Sequence, residues 1–272
     1  MNKQDKLELA RWAVNYALKQ GADQCAVSIS RRRNVEIQHR DGKLEKIQES
    51  TSNSLNINIY ANQRYSGHST CDLKKISLEK FINEAVAMTK YLSEDEYRKL
   101  PDPELYEGQK EIDLEITDPS YQELTSEKRV EIAKQIEEKA HNVSDKIISA
   151  TAGCGDSYSE TVKVHSNGFV GERHGTSFYA GAEATVEGEE GKRPEDWYYA
   201  SSRYFTQLPS PDFLGVEAGK RALQKIGQDK IKSAKMTMLV ENRAARRLLY
   251  AMRGPLSGRA LQQKASFLEG KL

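Results

Sequence analysis

Cysteine is scarce in this chain, with only Cys25, Cys71 and Cys154 in 272 residues. An odd number of widely spaced thiols excludes a disulfide framework and a paired CxxC zinc clip, and suits a reducing compartment. Neither sign of charge is in excess, since 41 Lys and Arg face 40 Asp and Glu, so there is no broad basic field for a phosphate backbone and no acidic tail. Long apolar runs are missing. The N-terminus is charged from Lys3 onward, without the apolar core and small-residue cleavage site of a leader, and no later stretch approaches 18 apolar residues. The chain reads as cytoplasmic and outside membranes. None of the five histidines precedes a glutamate, so the His-Glu-x-x-His pattern of a zinc peptidase helix is absent.

What remains is 38% apolar and 30% charged, the balance of a soluble globular protein. Leu7, Ala10, Val14, Ala17 and Leu18 recur at helical spacing and Gly21 follows, which predicts a helix over about 4–20. The period then becomes two in Val27/Ile29, Val35/Ile37 and Leu55/Ile57/Ile59. Asp41-Gly42 marks a hairpin, Ala61-Asn62-Gln63 a weaker turn, and the three-residue step from Leu44 to Ile47 a bulge. Four or five antiparallel strands are expected, then a helix at about 77–92. Residues 93–125 carry Pro101, Pro103 and Pro119 and little periodicity beyond a short strand at Ile112–Ile116, so they read as a linker. A helix capped by Ser126 follows to about 141, then strands at 146–152, 160–165, 176–187 and 197–206, a helix from Pro211 to about Ile226, a strand at 235–240 and a helix at 242–253. The expected fold is α+β, with helices packed on antiparallel sheets in two units: 1–92 and 126–272.

Local chemistry is sparse. His165, Glu172 and His174 could meet across a hairpin, though lining a sheet is the plainer reading. Gly153-Cys154-Gly155 follows a strand but lacks a third glycine and a following helix, so it reads as a glycine-rich turn rather than a dinucleotide site. Ser157 lacks the closing glycine of a nucleophile elbow and also reads as a turn residue. Cys154 has no basic neighbour in sequence to lower its pKa. Arg31-Arg32-Arg33, with His39 and Arg40, is interleaved with Asp41, Glu45 and Glu49 across the predicted hairpin, so cross-strand pairing accounts for it better than a polyanion. Trp197, Tyr198, Tyr199, Tyr204 and Phe205 make an aromatic strand, whose commoner use is packing against helices.

Several stretches in order resemble the TldD/PmbA family of metallopeptidase-related proteins, historically called modulators of DNA gyrase. They are Gly21–Asp23, Ala26–Ser30, Arg40–Glu45, Tyr60–Thr70, Glu84–Val86, His165–Phe169, Val216–Leu223 and the ending Leu256–Leu272. Ser166, Asn167, Gly168, Ser266, Phe267 and Leu268 carry the most recognisable parts of that signature, and no catalytic or metal role transfers to them. The resemblance implies a zinc motif, His-Glu-x-x-x-His, in the TldD branch. Here Tyr250, Ala251 and Pro255 stand at its positions, which implies the PmbA (TldE) branch. In the family that branch pairs with a zinc-bearing TldD-type subunit in a peptidase acting on unfolded peptides and microcin precursors. The resemblance therefore implies no cofactor in this chain, zinc in a partner, a heterodimer or homodimer, a peptide substrate, and neither membrane nor nucleic acid. Family chains run on into a β-rich region, so this chain is expected to be C-terminally truncated. Two other classes remain open at this point: a binding protein acting on gyrase or a toxin–antitoxin component, and a peptidase using Cys154 or His165/His174.

Overall fold

The computed structural model describes residues 2–108 and 112–271. Two compact units divide at Gln228/Asp229. The first opens with α1 (Lys3–Lys19), whose N-terminus is closed by a capping box between Asn2 and Asp5. Three strands follow, β1 (Gln24–Arg40), β2 (Lys43–Ala61) and β3 (Arg64–Thr70), and then α2 (Lys75–Thr89). After the segment 93–125 come α3 (Ser126–His141), β4 (Ile147–His165), β5 (Val170–Val186), β6 (Glu195–Ser202) and α4 (Pro211–Leu223). All six strands form one antiparallel sheet in the order β3-β2-β1-β4-β5-β6.

One face of that sheet carries two apolar clusters. Val27, Ile29, Leu55, Ile57 and Ile59 pack under Leu9, Val14, Leu78 and Ile82 of α1 and α2. Further along the same face, Val35, Ile37, Ala152, Ala180 and Ala182 pack under Ile132, Ile136, Leu214 and Ala218 of α3 and α4. Burying each Ile, Leu or Val side chain contributes about 1.5–3 kcal/mol. The intervening odd-numbered positions of β1 are Arg31 and Arg33, so a charged band separates the two helix pairs.

Several expectations are corrected. The first half has three strands rather than four or five, because β1 and β2 run uninterrupted through the polar stretch 43–54, paired residue by residue. The bulge is real: Gln38 pairs with Lys46 and His39 with Leu44, leaving Glu45 as the extra residue. Residues 146–152 and 160–165 are one strand, and Gly153-Cys154-Gly155 and Ser157 lie inside it rather than in a turn. Gly155 lacks a side chain because the Tyr179 ring crosses it; an added Cβ would fall 2.6 Å from that ring. Thr125, not Ser126, caps α3 by accepting from Lys128 N at 3.2 Å. Neither Ile112–Ile116 nor 235–240 forms a strand, since neither has a ladder of partners among the described residues. Segment 93–125 separates two sets of strands along the chain that share one sheet in space. It is also tied to that sheet: Leu100 N donates to Gln24 Oε1 at 3.0 Å, and Thr176 N donates to Ile116 O at 2.9 Å.

The second unit holds α5 (Asn242–Arg253) and α6 (Gly258–Gln262), the latter capped by Ser257. Buried Ser266 donates to Pro255 O at 2.8 Å and accepts from Leu268 N at 3.0 Å, while Phe267 is exposed and Leu268 half-buried.

Gly215 sets the spacing of α3 and α4. A Cβ there would lie 2.3 Å from Ile136 O and 2.8 Å from Ala140 N, both backbone atoms. Gly215→Ala must push the helices apart and is expected to lower unfolding free energy by about 1–3 kcal/mol, read from the urea midpoint.

Candidate functional site: a charged cleft between two helix pairs

The polar band of the helix-covered face is hollow. On one side a cavity of about 270 Å³ is lined by Lys3, Lys6, Arg31, Glu160, Glu172 and His174; on the other a cavity of about 360 Å³ is lined by Arg31, Arg33, Tyr121, Ser126, Arg129 and Tyr158. Arg31 borders both. The register explains the assembly: Arg31 pairs with Glu160 and Arg33 with Tyr158 on β4, and Glu160 pairs with His174 on β5, so all these side chains share the face.

Ion pairs cross the cleft from helix to sheet. Lys6 of α1, itself buried, contacts Glu160, and Lys3 reaches Glu172 at 2.8 Å. Arg129 of α3 and Asp156 of β4, both 1% exposed, form a buried pair. Arg33 bonds Glu49 at 2.8 Å and lies over the Tyr121 ring. Burial works against the Glu160 carboxylate, yet the hydrogen bond and charge of Lys6 hold its pKa below the usual value. Burial, with Asp156 nearby, pushes the Tyr121 phenol up to about 12, so it stays protonated. Arg129 Nη2 is buried without a hydrogen-bond partner; Tyr121 Oη and Asp156 Oδ1, also buried, make no well-formed bond, although Asp156 lies close enough to the phenol to raise its pKa. The cleft offers charge and donors, not a nucleophile beside a base.

The other predicted site residues scatter. Glu172 and His174 do share the first cavity, and Tyr158 Oη, from the lining of the second, lies 3.4 Å from His174 Nδ1. His165 lies on the opposite face, bonded to Tyr106 at 3.1 Å and packed on Phe169, so the three do not converge. Cys154 is buried in the second apolar cluster and burial pushes its thiol up to about 12, which removes the thiolate a cysteine peptidase needs. Ser157 sits on the uncovered face, in register with Ser177. Of the arginine run, Arg31 and Arg33 enter the cleft while Arg32 points to the other face, and Arg40 pairs with Asp41 and Glu45 at the hairpin. The aromatic strand divides too: Tyr198 packs on Phe213 of α4, whereas Trp197 and Tyr199 lie tilted against each other on the uncovered face. Tyr204 precedes a short turn from which Phe205 packs edge-on against Phe178.

Ser166, Asn167 and Gly168 form the β4–β5 turn. Ser166 N donates to Cys25 O at 2.8 Å and its Oγ accepts from Cys25 N at 3.0 Å; Asn167 Nδ2 donates to Pro101 O at 2.6 Å; Gly168 has φ +101°. The turn thus fastens segment 93–125 and the start of β1 to the sheet.

Zinc finds no matching ligand set. His39 bonds Glu137 at 3.1 Å, His68 bonds Ser66 at 2.8 Å, His141 ends α3, and no three or more His, Cys, Asp or Glu among the described residues are placed to hold a metal. The described residues do not fit the metal. No helix among them is long and apolar enough to cross a membrane.

A six-stranded antiparallel sheet with four helices on one face defines an α+β protein of the kind found in known metallopeptidase-related chains. Residues 25–89 match the profile of the PmbA/TldA metallopeptidase domain 1, and residues 119–226 that of the PmbA/TldA metallopeptidase central domain. Together these cover more than half of the sequence, and the chain belongs to the PmbA/TldD family. It is 25% identical over 267 residues to the Metalloprotease PmbA homolog of Haemophilus influenzae, covering 98% of this chain and 58% of that protein. The crystal structure of a proposed modulator of DNA gyrase from Bacteroides thetaiotaomicron superposes with a TM-score of 0.91 at 36% identity, over 100% of this chain and 61% of that one. TldE from Thermococcus kodakarensis shares the fold, with a TM-score of 0.63 at 18% identity over 80% of this chain and 47% of its own. The chain therefore spans about three fifths of the first two relatives.

Removing one partner of the buried pair leaves the other charge stranded. Asp156→Ala is expected to cost about 3–5 kcal/mol in chemical denaturation. His165 makes stability depend on pH. Burial, aided by Lys163, lowers its pKa to about 4, and its buried Nε2 has no acceptor for a second proton. The unfolded imidazole, near 6.5, protonates first as pH falls. The stability this neutral histidine confers is complete above about pH 6.5 and is lost toward pH 4, with a slope of up to about 1.4 kcal/mol per unit. Urea midpoints of wild type and His165→Gln between pH 4 and 8 are expected to diverge in slope across that window.

Proposed function

We propose that this chain is the subunit without zinc, of the PmbA (TldE) type, in a cytoplasmic PmbA/TldD metallopeptidase that acts on unfolded peptides or peptide-antibiotic (microcin) precursors. The observation that carries the reading is α5. Its sequence, Asn242–Arg253, contains four arginines and neither histidine nor an acidic residue, and Tyr250 and Ala251 stand where the zinc branch would place His-Glu. A helix of that composition cannot supply imidazole ligands or a carboxylate base. The names of the curated relatives, Metalloprotease PmbA and its homologs, support the reaction class. In this reading a TldD-type partner holds the zinc, which supplies Lewis-acid polarisation and an activated water. This chain shapes and stabilises the peptide cleft.

A second reading is a binding protein that modulates gyrase or a toxin–antitoxin component without proteolysis, as a homodimer; the name of the Bacteroides neighbour, 36% identical, supports the gyrase part of it.

Mixing the full chain with a TldD-type subunit separates the two. Alone, it is expected to bind no zinc and to leave an unfolded peptide intact; in the mixture, cleavage appears and a chelator abolishes it. Cleavage by the chain alone, with bound metal, defeats the subunit reading. A stable self-associated species that ignores the TldD-type subunit supports the second.

A further inference from the structure

The charges of the cleft do not balance. Lys3 is matched by Glu172, Lys6 by Glu160, Arg33 by Glu49 and Arg129 by Asp156, one cation to one anion each. Arg31 is the fifth cation. Among the described residues it forms no ion pair within 4.0 Å; its charge reaches Glu160, which is already bonded to Lys6, and it lies half-buried in the floor, bordering both cavities.

Beside it in the larger cavity stand two further buried donor groups, Arg129, 1% exposed, and Tyr121, 3% exposed. Arg129 Nη2 makes no hydrogen bond, and Tyr121 Oη makes no well-formed one, although Asp156 and Arg33 lie close enough to perturb it. A buried donor left unmade has lost its water without gaining a partner, so it favours a ligand that supplies an acceptor. Half-buried Arg31, with the buried Arg129 Nη2 and Tyr121 Oη, puts three donor groups at one concave place, two of them guanidinium, which match the oxygen atoms of an anion. Arg129 is held for the purpose, since its Nε bonds Asp156 and its Nη1 bonds Leu124 O. The first turn of α3 adds little, because Thr125 already accepts from Lys128 N. The cavity, about 360 Å³, has room for a small oxyanion and several waters of about 30 Å³ each.

We infer that the cleft between the two helix pairs is an oxyanion-binding site, in which Arg31, Arg129 Nη2 and Tyr121 Oη hold a carboxylate or phosphate group. The chemistry is shared by a free phosphate and by the terminal carboxylate of a peptide. The site does not depend on the peptidase-subunit reading, and its test involves neither zinc nor a partner.

Calorimetric titration of the full chain at constant ionic strength would use sodium phosphate, sodium acetate, and two short unstructured peptides differing only in a free or amidated C-terminus. The wild-type protein is expected to bind at least one free anion or the free-terminus peptide. Arg31→Gln strands no carboxylate, so the fold is retained, and it is expected to weaken that binding about tenfold or more. Arg32→Gln, on the opposite face, is expected to leave it unchanged. Tyr121→Phe, which removes only the hydroxyl, serves as a second variant and is expected to weaken binding several-fold. Preference for the free over the amidated terminus identifies a peptide carboxylate; binding of phosphate alone identifies free phosphate. Absence of binding by every probe at millimolar concentration, equal affinity for the two peptides without affinity for either free anion, or undiminished binding by both Arg31→Gln and Tyr121→Phe overturns the inference.

Discussion

The pairing of β1 with β4 is the constraint on which the first unit rests. These strands lie antiparallel from Ala26 opposite His165 to Arg40 opposite Thr151, and they come from opposite sides of segment 93–125. Without that ladder the first half would be a three-stranded meander and the second another, each with an open central edge. With it, a side-chain alternation started at Cys25 is imposed across four strands. That alternation places both apolar clusters on one face and sets Arg31 and Arg33 between them. The charged cleft is therefore a consequence of register: a slip of one residue would exchange Arg31 for Arg32 and carry the apolar residues to the uncovered face.

Much of this was legible where the cause is local. Helical spacing located α1 to α3, Pro211 at a first turn located α4, the Asp41-Gly42 signal located the first hairpin, and the irregular step from Leu44 to Ile47 marked the bulge at Glu45. Cross-strand pairing did explain part of the arginine run, through Arg33 with Glu49 and Arg40 with Glu45. Strand length was not legible. The polar stretch from Gln48 to Ser54 lacks apolar alternation and the glycines at 153 and 155 read locally as a turn, and tertiary pairing makes strand of both. On the uncovered face, glycine makes space for tyrosine rings from neighbouring strands, which no single segment reveals.

The candidate site was hidden for a different reason. Lys6 and Glu160 are 154 residues apart, and Arg129 and Asp156 belong to different elements. A charge that will be buried and paired looks in sequence like any solvated one. What the sequence did offer was the alternation itself: apolar at 25, 27 and 29, arginine at 31 and 33, apolar again at 35 and 37. Two cations on the inward side of a strand flanked by core residues are a sign of an internal polar site. The family signature behaves differently again. Ser166, Asn167 and Gly168 do their work through backbone bonds and a left-handed turn, so their pattern records architecture.

The sheet also has an unfinished border. β3 accompanies β2 only from Leu55 to Ala61, so among the described residues the outer side of β2 from Lys43 to Ser54 has no strand beside it. Twelve residues in extended form offer about 40 Å of open backbone donors and acceptors. Such a border is a template for runaway stacking of one molecule on the next. Lys43, Glu45, Lys46 and Glu49 spread both signs of charge along it, and the bulge at Glu45 breaks its straight run of hydrogen-bonding groups. A strand this long thus stays extendable in principle while discouraging copies of itself, and exchanging those four side chains for apolar ones would turn a sheet margin into a seed for fibres.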